Sequence, residues 1–275
     1  MNRVSIIIPT YKRVNLLRQI LQNLVCQEYI HEILIIDSKS NDGTKELINS
    51  YDSKSDISIK HFNVDNNVSL KRNTGIKKSS SNYLIFIDDD CIPSKEFVKN
   101  HIESLDFNEN SINCGNVFFP ISNVNSSNYI RFKNSRHINY RYMGPNDKEL
   151  DYTTIVTMNM SIKKNDILKY NLFFNEEFIG YGMEDNEYGL QIMNAGLKIK
   201  TCPASIEHME GSDPFLFASK IYHTARDGVY KFKILNKKAV MNFRYSYFFE
   251  PDYAHKSKAT KYLVKFIRLF FSVFI

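Results

Sequence analysis

The most constraining feature of this chain is its opening, Val4-Ser5-Ile6-Ile7-Ile8, a nearly continuous β-branched run that stops at Pro9. An apolar run of this kind marks a strand covered on both faces, as in the interior of a parallel sheet. The segment that follows, to about Gln27, carries Leu16, Leu17, Ile20, Leu21 and Leu24 at helical spacing, which predicts an amphipathic helix. Glu32 to Asp37 repeats the apolar run, a polar turn covers Ser38 to Gly43, and a second helical stretch runs through Ile48. Strand, helix, strand in this order predicts parallel strands joined by right-handed crossovers. A strand around Ile57 to Phe62, a helix over Ser69 to Lys78 and a strand at Tyr83 to Ile87 continue the pattern. The fold class expected is α/β, with a mixed, mainly parallel central sheet flanked by helices.

Ligands of open α/β sheets gather at the carboxyl ends of the strands. Here those ends carry Pro9-Thr10-Tyr11, Asp37 and Asp88-Asp89-Asp90. Three carboxylates after the buried strand Tyr83 to Ile87 repel one another unless a cation joins them, so the triplet is either a divalent-metal site or a solvated turn. Glu184-Asp185 follows the turn Gly180-Tyr181-Gly182-Met183 and opens a helix read as Asn186 to Asn194. These two acids either cap that helix or supply a base held ionised by the helix dipole. His208, beyond a strand read as Ile199 to Cys202, is a structural histidine or a further ligand.

The segments between are less regular. A helix is expected over Phe97 to Leu105 and an irregular, Asn- and Ser-rich insert over Ser111 to Leu150. That insert carries the cluster Arg131 to Tyr142, which either faces an anionic partner or is a solvated surface. A strand near Thr153 to Ile162 and a helix over Lys164 to Lys169 precede the glycine turn. The domain organisation read from this is a main domain over 1–235, divided into a nucleotide-binding-type α/β half (1–105) and a second half (106–235), and a tail over 236–275.

The chain of 275 residues has a net charge of +6, and much of its excess Lys and Arg lies after Arg226. Leu263, Phe266, Ile267, Phe270, Phe271 and Phe274 follow helical spacing, with Lys261, Lys265 and Arg268 on the opposite face. The tail therefore reads as a basic amphipathic helix, lying on an anionic membrane surface or packing on the domain or a partner chain. Cys26, Cys91, Cys114 and Cys202 form no C-x-x-C pair, which suits a reducing compartment. The N-terminal apolar run is too short for a signal-peptide core. No stretch reaches the roughly 18–20 apolar residues that span a bilayer. The expected location is cytoplasmic and peripheral at the inner face of the membrane.

Four ordered motifs, Val4 to Arg13, Ile36-Asp37 with Asp42-Gly43-Thr44, Arg72-Asn73-Thr74-Gly75 and Ile87-Asp88-Asp89-Asp90, resemble glycosyltransferase family 2, and the likeness extends to His208. The resemblance implies the GT-A fold and a UDP-linked sugar donor. It implies that Pro9, Thr10, Tyr11, Arg13, Asp37, Lys71, Arg72, Asp88 and Asp89 bind the nucleotide sugar. It assigns Mn²⁺ or Mg²⁺ to Asp90, with Asp88 and His208 as further ligands. It makes Asp185 the base that deprotonates an acceptor hydroxyl and Glu184 a binder of acceptor or sugar. The segment Gly180 to Glu187 resembles the acidic turn of galactosyltransferase and chondroitin-synthase relatives, implying a galactose or N-acetylhexosamine donor.

The acceptor implied is a glycan or a lipid-linked glycan of cell-surface polysaccharide synthesis. Two departures stand out: Ser38 follows Asp37 where the family often has a second acid, and a chain without Trp lacks the Gln-x-x-Arg-Trp motif of processive synthases. The rival readings are an inert glycan- or nucleotide-binding scaffold on the same fold and a nucleotidyltransferase, for which the expected Gly-rich, Lys-containing phosphate loop is missing. No nucleic-acid motif is present.

Overall fold

The computed structural model describes residues 3–52, 57–127, 130–131, 134, 148–180, 182–211 and 213–239. The chain runs β1 (Val4–Pro9), α1 (Val14–Leu24), β2 (Ile30–Asp37), α2 (Thr44–Asp52), β3 (Ser58–Asn63), α3 (Val68–Lys78) and β4 (Tyr83–Ile87). It continues through β5 (Cys91–Pro93), α4 (Phe97–Phe107), β6 (Ser111–Phe118), α5 (Ile121–Ser126), β7 (Glu149–Leu150), β8 (Asn159–Lys163) and α6 (Lys164–Tyr170). The last elements are α7 (Glu184–Asn194), β9 (Lys198–His208), α8 (Pro214–His223), a π-helical turn (Thr224–Val229) and α9 (Tyr230–Leu235).

The strands form one sheet in the order β3-β2-β1-β4-β8-β6-β9-β5, with β7 also on β9. β3, β2, β1 and β4 are mutually parallel, β8 runs against β4 and β6, and β6 is parallel to β9. The sheet is thus mixed, with most strands pointing the same way. Side chains on β1 alternate between two cores. Ile6 and Ile8 join Leu17, Ile20 and Phe97 on one face, while Ile7 joins Ile76, Phe86 and Tyr188 on the other. Both faces being covered, the strand is apolar at almost every position, which is why its sequence shows no alternation.

Three expectations are corrected. Ser111–Phe118 is a regular strand with Asn113 and Asn116 buried. Its backbone is paired in the sheet, and buried polar side chains serve it: Asn159 Nδ2 donates to Asn116 O at 2.9 Å. A helix, α5, follows. The strand expected from Thr153 begins only at Asn159, because Asp151 turns the chain by accepting from Thr153 N at 2.7 Å and, through its carbonyl, from Thr154 N at 3.1 Å. The strand expected to end at Cys202 continues to His208. Pro203 falls where the β6–β9 register shifts, between the pairs Cys114–Thr201 and Asn116–Ser205, a position at which proline removes no ladder bond.

The described residues divide into two compact units, one of those from 3 to 179 with 184–211, the other of 180, 182–183 and 213–239. The sheet ends with β9, and α8, the π turn and α9 pack on one another. In the second unit Gly182 (φ +94°) and Met183 (φ +77°) are both left-handed. A Cβ on Gly228 there would lie 2.4 Å from Gly182 O, so that packing requires glycine. The amphipathic tail and most of the Arg131–Tyr142 cluster lie outside the described residues. No helix among the described residues is long and apolar enough to cross a membrane.

Candidate functional site

All the acids singled out by sequence, apart from Asp37, meet in the first unit around two guanidinium groups. Helix α3 follows an N-cap in which Asn67 Oδ1 accepts from Leu70 N. It buries Ser69, Lys71, Arg72 and Asn73, along with Gly75 and Ile76. A Cβ on Gly75 would come within 2.3 Å of Ile7 Cγ2, so glycine there lets the helix lie directly on β1. This places Arg72 under the ends of the strands with only 2% of its side chain exposed.

Arg72 joins two parts of the chain. Its Nη1 donates to Asp185 Oδ1 at 2.9 Å and lies 3.5 Å from Glu184 Oε1, while its Nη2 donates to Asp88 Oδ1 at 3.1 Å. The Phe174 ring lies against the guanidinium, 5.3 Å from centroid to Cζ. Burial opposes the Arg72 charge, but Asp185, Asp88 and Glu184 together hold its pKa above the ordinary value. Burial pushes Asp88 up, countered by Arg72 and reinforced by Asp90 and Asp185. Burial and the Asp185 charge push Glu184 up to about 7, and its Oε2 has no hydrogen-bond partner among the described residues.

Asp185 is placed for a different role. It sits in the first turn of α7, which begins at Glu184, earlier than the expected Asn186. Thr157 Oγ1 donates to Asp185 Oδ1 at 2.6 Å, the atom that also accepts from Arg72. Oδ1 is thereby fixed from two sides. Asp185 Oδ2 has no hydrogen bond among the described residues, and about a quarter of the side chain is exposed.

Around the second guanidinium stand Asp89, Asp90 and His208. Arg13 Nη1 pairs with Asp90 Oδ2 and lies 3.3 Å from Asp89 Oδ1. His208 Nε2 lies 3.5 Å from the other Asp90 oxygen, Oδ1. Burial works to raise Asp90, and the His208 ring and Arg13 overcome it, holding the carboxyl well below the usual range. Asp89 goes the other way, up to about 6, through burial, with Arg13 pulling down and Asp90 pushing up. Its Oδ2 accepts from Thr10 Oγ1 at 2.9 Å and Tyr11 N at 3.2 Å, so Asp89 ties the end of β1 to the end of β4. Thr10 is itself buried, whereas Tyr11 beside it is exposed.

The remaining residues assigned by resemblance are held more locally. Pro9 ends β1 and Asp37 ends β2. The Asp37 carboxylate accepts from Ser38 N at 2.7 Å, Ser40 N at 3.0 Å and Ser40 Oγ at 2.6 Å, and faces His61 Nε2 at 3.4 Å. Lys71 donates to Thr10 O at 2.8 Å and Asn66 Oδ1 at 2.9 Å. Burial lowers its ammonium to about 8 against the pull of Asp89 and Asp37. Thr157, inside a segment read as strand, is not among the residues expected from sequence.

The donor set suits a divalent cation. Five carboxylates, Asp88, Asp89, Asp90, Glu184 and Asp185, face Arg13, Arg72 and Lys71, an excess of negative charge that favours a cation. Asp90 and His208 offer the oxygen and nitrogen that such a cation takes.

Comparisons with known proteins bear on the family and the fold. The model of the family described as glycosyl transferase family 2 matches residues 5–168, and that of the N-terminal domain of galactosyltransferase matches 138–211, the acidic turn included. The chain is 27% identical over 218 residues to a dolichyl N-acetyl-α-D-glucosaminyl phosphate 3-β-D-2,3-diacetamido-2,3-dideoxy-β-D-glucuronosyltransferase of Methanococcus voltae, covering 74% of this chain and 65% of that one. It spans about half to two thirds of the length of this and other curated relatives, and less of some.

Among solved structures it resembles a mannosyltransferase of Pyrobaculum calidifontis in complex with GDP-Man and Mn²⁺ (TM-score 0.62, 16% identity, 88% of this chain and 65% of that). It also resembles S. aureus TarS 1–349 in complex with UDP-GlcNAc (TM-score 0.56, 17% identity, 82% and 66%). At these identities the structural likeness shows the fold, which is GT-A. With matched motifs over more than half its length, this chain belongs to glycosyltransferase family 2.

Proposed function

We propose that the chain transfers a sugar from a UDP-linked donor, galactose or an N-acetylhexosamine, to a hydroxyl of a glycan or lipid-linked acceptor in cell-surface polysaccharide synthesis, with inversion and Asp185 as the base. The observation that carries this reading is the Asp185 carboxylate itself. One oxygen is fixed by Arg72 and Thr157 while the other is without a hydrogen bond among the described residues. A base must be oriented and yet keep one lone pair for the proton it takes.

The other residues are read in the same way. Thr10, Tyr11, Asp37 and Lys71 cradle the nucleotide at the ends of β1 and β2, with Pro9 ending the strand. Asp88 and Asp89 meet the sugar-nucleotide, and Arg13, which balances Asp90 in the structure, is a cation within reach of a diphosphate. Asp90 and His208 hold Mn²⁺ or Mg²⁺, with Asp88 alongside. When bound, that ion neutralises charge on the departing diphosphate. Arg72 keeps Asp88 and Asp185 in fixed relation, so the donor end of the site and the base stay in register. Glu184, its carboxyl raised and one oxygen without a partner, donates or accepts a hydrogen bond to a sugar hydroxyl.

The galactosyltransferase-domain match over the acidic turn supports the donor class, and the Methanococcus relative, whose name specifies a dolichyl N-acetyl-α-D-glucosaminyl phosphate acceptor, supports a lipid-linked acceptor. The basic, apolar sequence after Lys256 fits a peripheral site on an anionic inner membrane face. Deleting it releases the protein from anionic vesicles, and undiminished binding refutes that location.

The reaction is tested with a panel of nucleotide sugars and glycan acceptors, reading released nucleoside diphosphate and the anomeric signals of the product by NMR. Inverted product, with turnover reduced by about 10²–10⁴ in Asp185→Asn, is expected. Retained configuration removes Asp185 from its role.

A further inference from the structure

Cys91 opens β5, and the antiparallel ladder sets it opposite His208, the last residue of β9. Its Sγ lies 3.5 Å from Asp90 Oδ1, and the same oxygen lies 3.5 Å from His208 Nε2. An oxygen, a ring nitrogen and a sulfur thus stand within 4.8 Å of one another. Donors sharing one tetrahedral cation, with bonds of about 2.0 Å to oxygen or nitrogen and about 2.3 Å to sulfur, stand about 3.5 Å apart. The sulfur–oxygen and oxygen–nitrogen separations already have that length. Buried cysteines usually act as small apolar fillers, yet this thiol points at the Asp90 oxygen that also faces His208.

We propose that Cys91 is a third ligand of the divalent cation held by Asp90 and His208. The resulting oxygen, nitrogen and sulfur donors favour Mn²⁺, Co²⁺ or Zn²⁺ over Mg²⁺, a hard ion that takes oxygen ligands. Coordination breaks the S–H bond, sends the proton to solvent and leaves the sulfur lone pair to bind the cation, with no change of oxidation state. The inference rests on the reading of Asp90 and His208 as metal ligands.

The test uses Co²⁺, whose bonds to sulfur give a near-ultraviolet charge-transfer band that oxygen and nitrogen ligands do not give. Cys26 is the exposed cysteine, so the spectra are taken on full-length Cys26→Ser protein, with and without UDP, while calorimetry follows binding. The expected result is a band that saturates with the bound Co²⁺ and is lost in His208→Ala. Cys91→Ser is expected to weaken Cd²⁺ binding about tenfold or more and leave Mg²⁺ binding unchanged. Because the band is read with Cys91 in place, a Cys91 variant that fails to fold does not decide the matter. Co²⁺ that binds without the band overturns the sulfur ligand and leaves the metal site standing. Failure of Co²⁺ to bind even with UDP overturns both.

Discussion

Replacing Arg72 with methionine removes a cation that Asp88, Glu184 and Asp185 share. Removing one partner of a buried pair costs about 3–5 kcal/mol, since the charge left behind is no longer compensated. Asp88 and Asp185 keep 27% and 26% of their side chains exposed, so water recovers part of the loss. The lower end, about 3 kcal/mol at pH 8, is expected. At about 2–4 °C per kcal/mol for a chain of this size, that lowers Tm by roughly 6–12 °C. The loss depends on pH. Without Arg72 the carboxyls of Asp88 and Glu184, already raised, rise further, and the folded state holds protons that the unfolded chain releases. Stability therefore falls as pH rises above the unfolded carboxylate range, and the variant loses more at pH 8 than at pH 5. Adding Glu184→Gln restores about 1 kcal/mol by removing one uncompensated charge. Thermal unfolding followed by circular dichroism at the two pH values measures this. A loss below about 1 kcal/mol at pH 8, the size of an exposed pair, or the same loss at both pH values, refutes the account of Arg72 as a buried hub.

Other perturbations separate the roles of neighbouring residues. Thr157→Val removes a hydrogen bond to a charged oxygen, commonly worth about 1.5–3 kcal/mol, and is expected to lower kcat roughly tenfold or more with the donor KM unchanged in steady-state kinetics. Glu184→Gln alone tests the raised carboxyl. A folded value of about 7 against an ordinary 4.5 means that wild-type stability falls as pH rises through this window. The variant's advantage in denaturant unfolding is then absent at pH 4 and full above pH 7, and a pH-independent difference contradicts it. Gly75→Ala places a Cβ 2.3 Å from Ile7 Cγ2 inside the core and is expected to cost about 1–3 kcal/mol in the same assay.

How much of this was legible in sequence depended on which physical signal each segment carried. β1, β2 and β4 announced themselves because strands covered on both faces are apolar throughout, and their acidic ends placed the site. α3 was read only in outline. Its buried face is Ser69, Lys71, Arg72 and Asn73 with Gly75 and Ile76, so hydrophobic periodicity could not show that Arg72 lies inside. β6 reads as an irregular insert in sequence since its buried positions include Ser111, Asn113 and Asn116, polar residues that show no apolar strand pattern; Ser111 and Asn113 bond back to Asn108. The continuation of β9 past Pro203 depends on a register shift that only the partner strand reveals. The pairing of Arg72 with both Asp88 and Asp185, and of Cys91 with His208, joins residues far apart in the chain, which no local pattern encodes.

The central claim, that Asp90 anchors a metal-dependent nucleotide site at the strand ends, is tested most directly by UDP binding. Calorimetry of the purified protein with Mn²⁺, with EDTA, and after Asp90→Ala measures it without knowledge of the acceptor. UDP that binds with Mn²⁺ and is lost both on chelation and in the variant is the predicted result. UDP binding indifferent to EDTA and to the substitution contradicts the account.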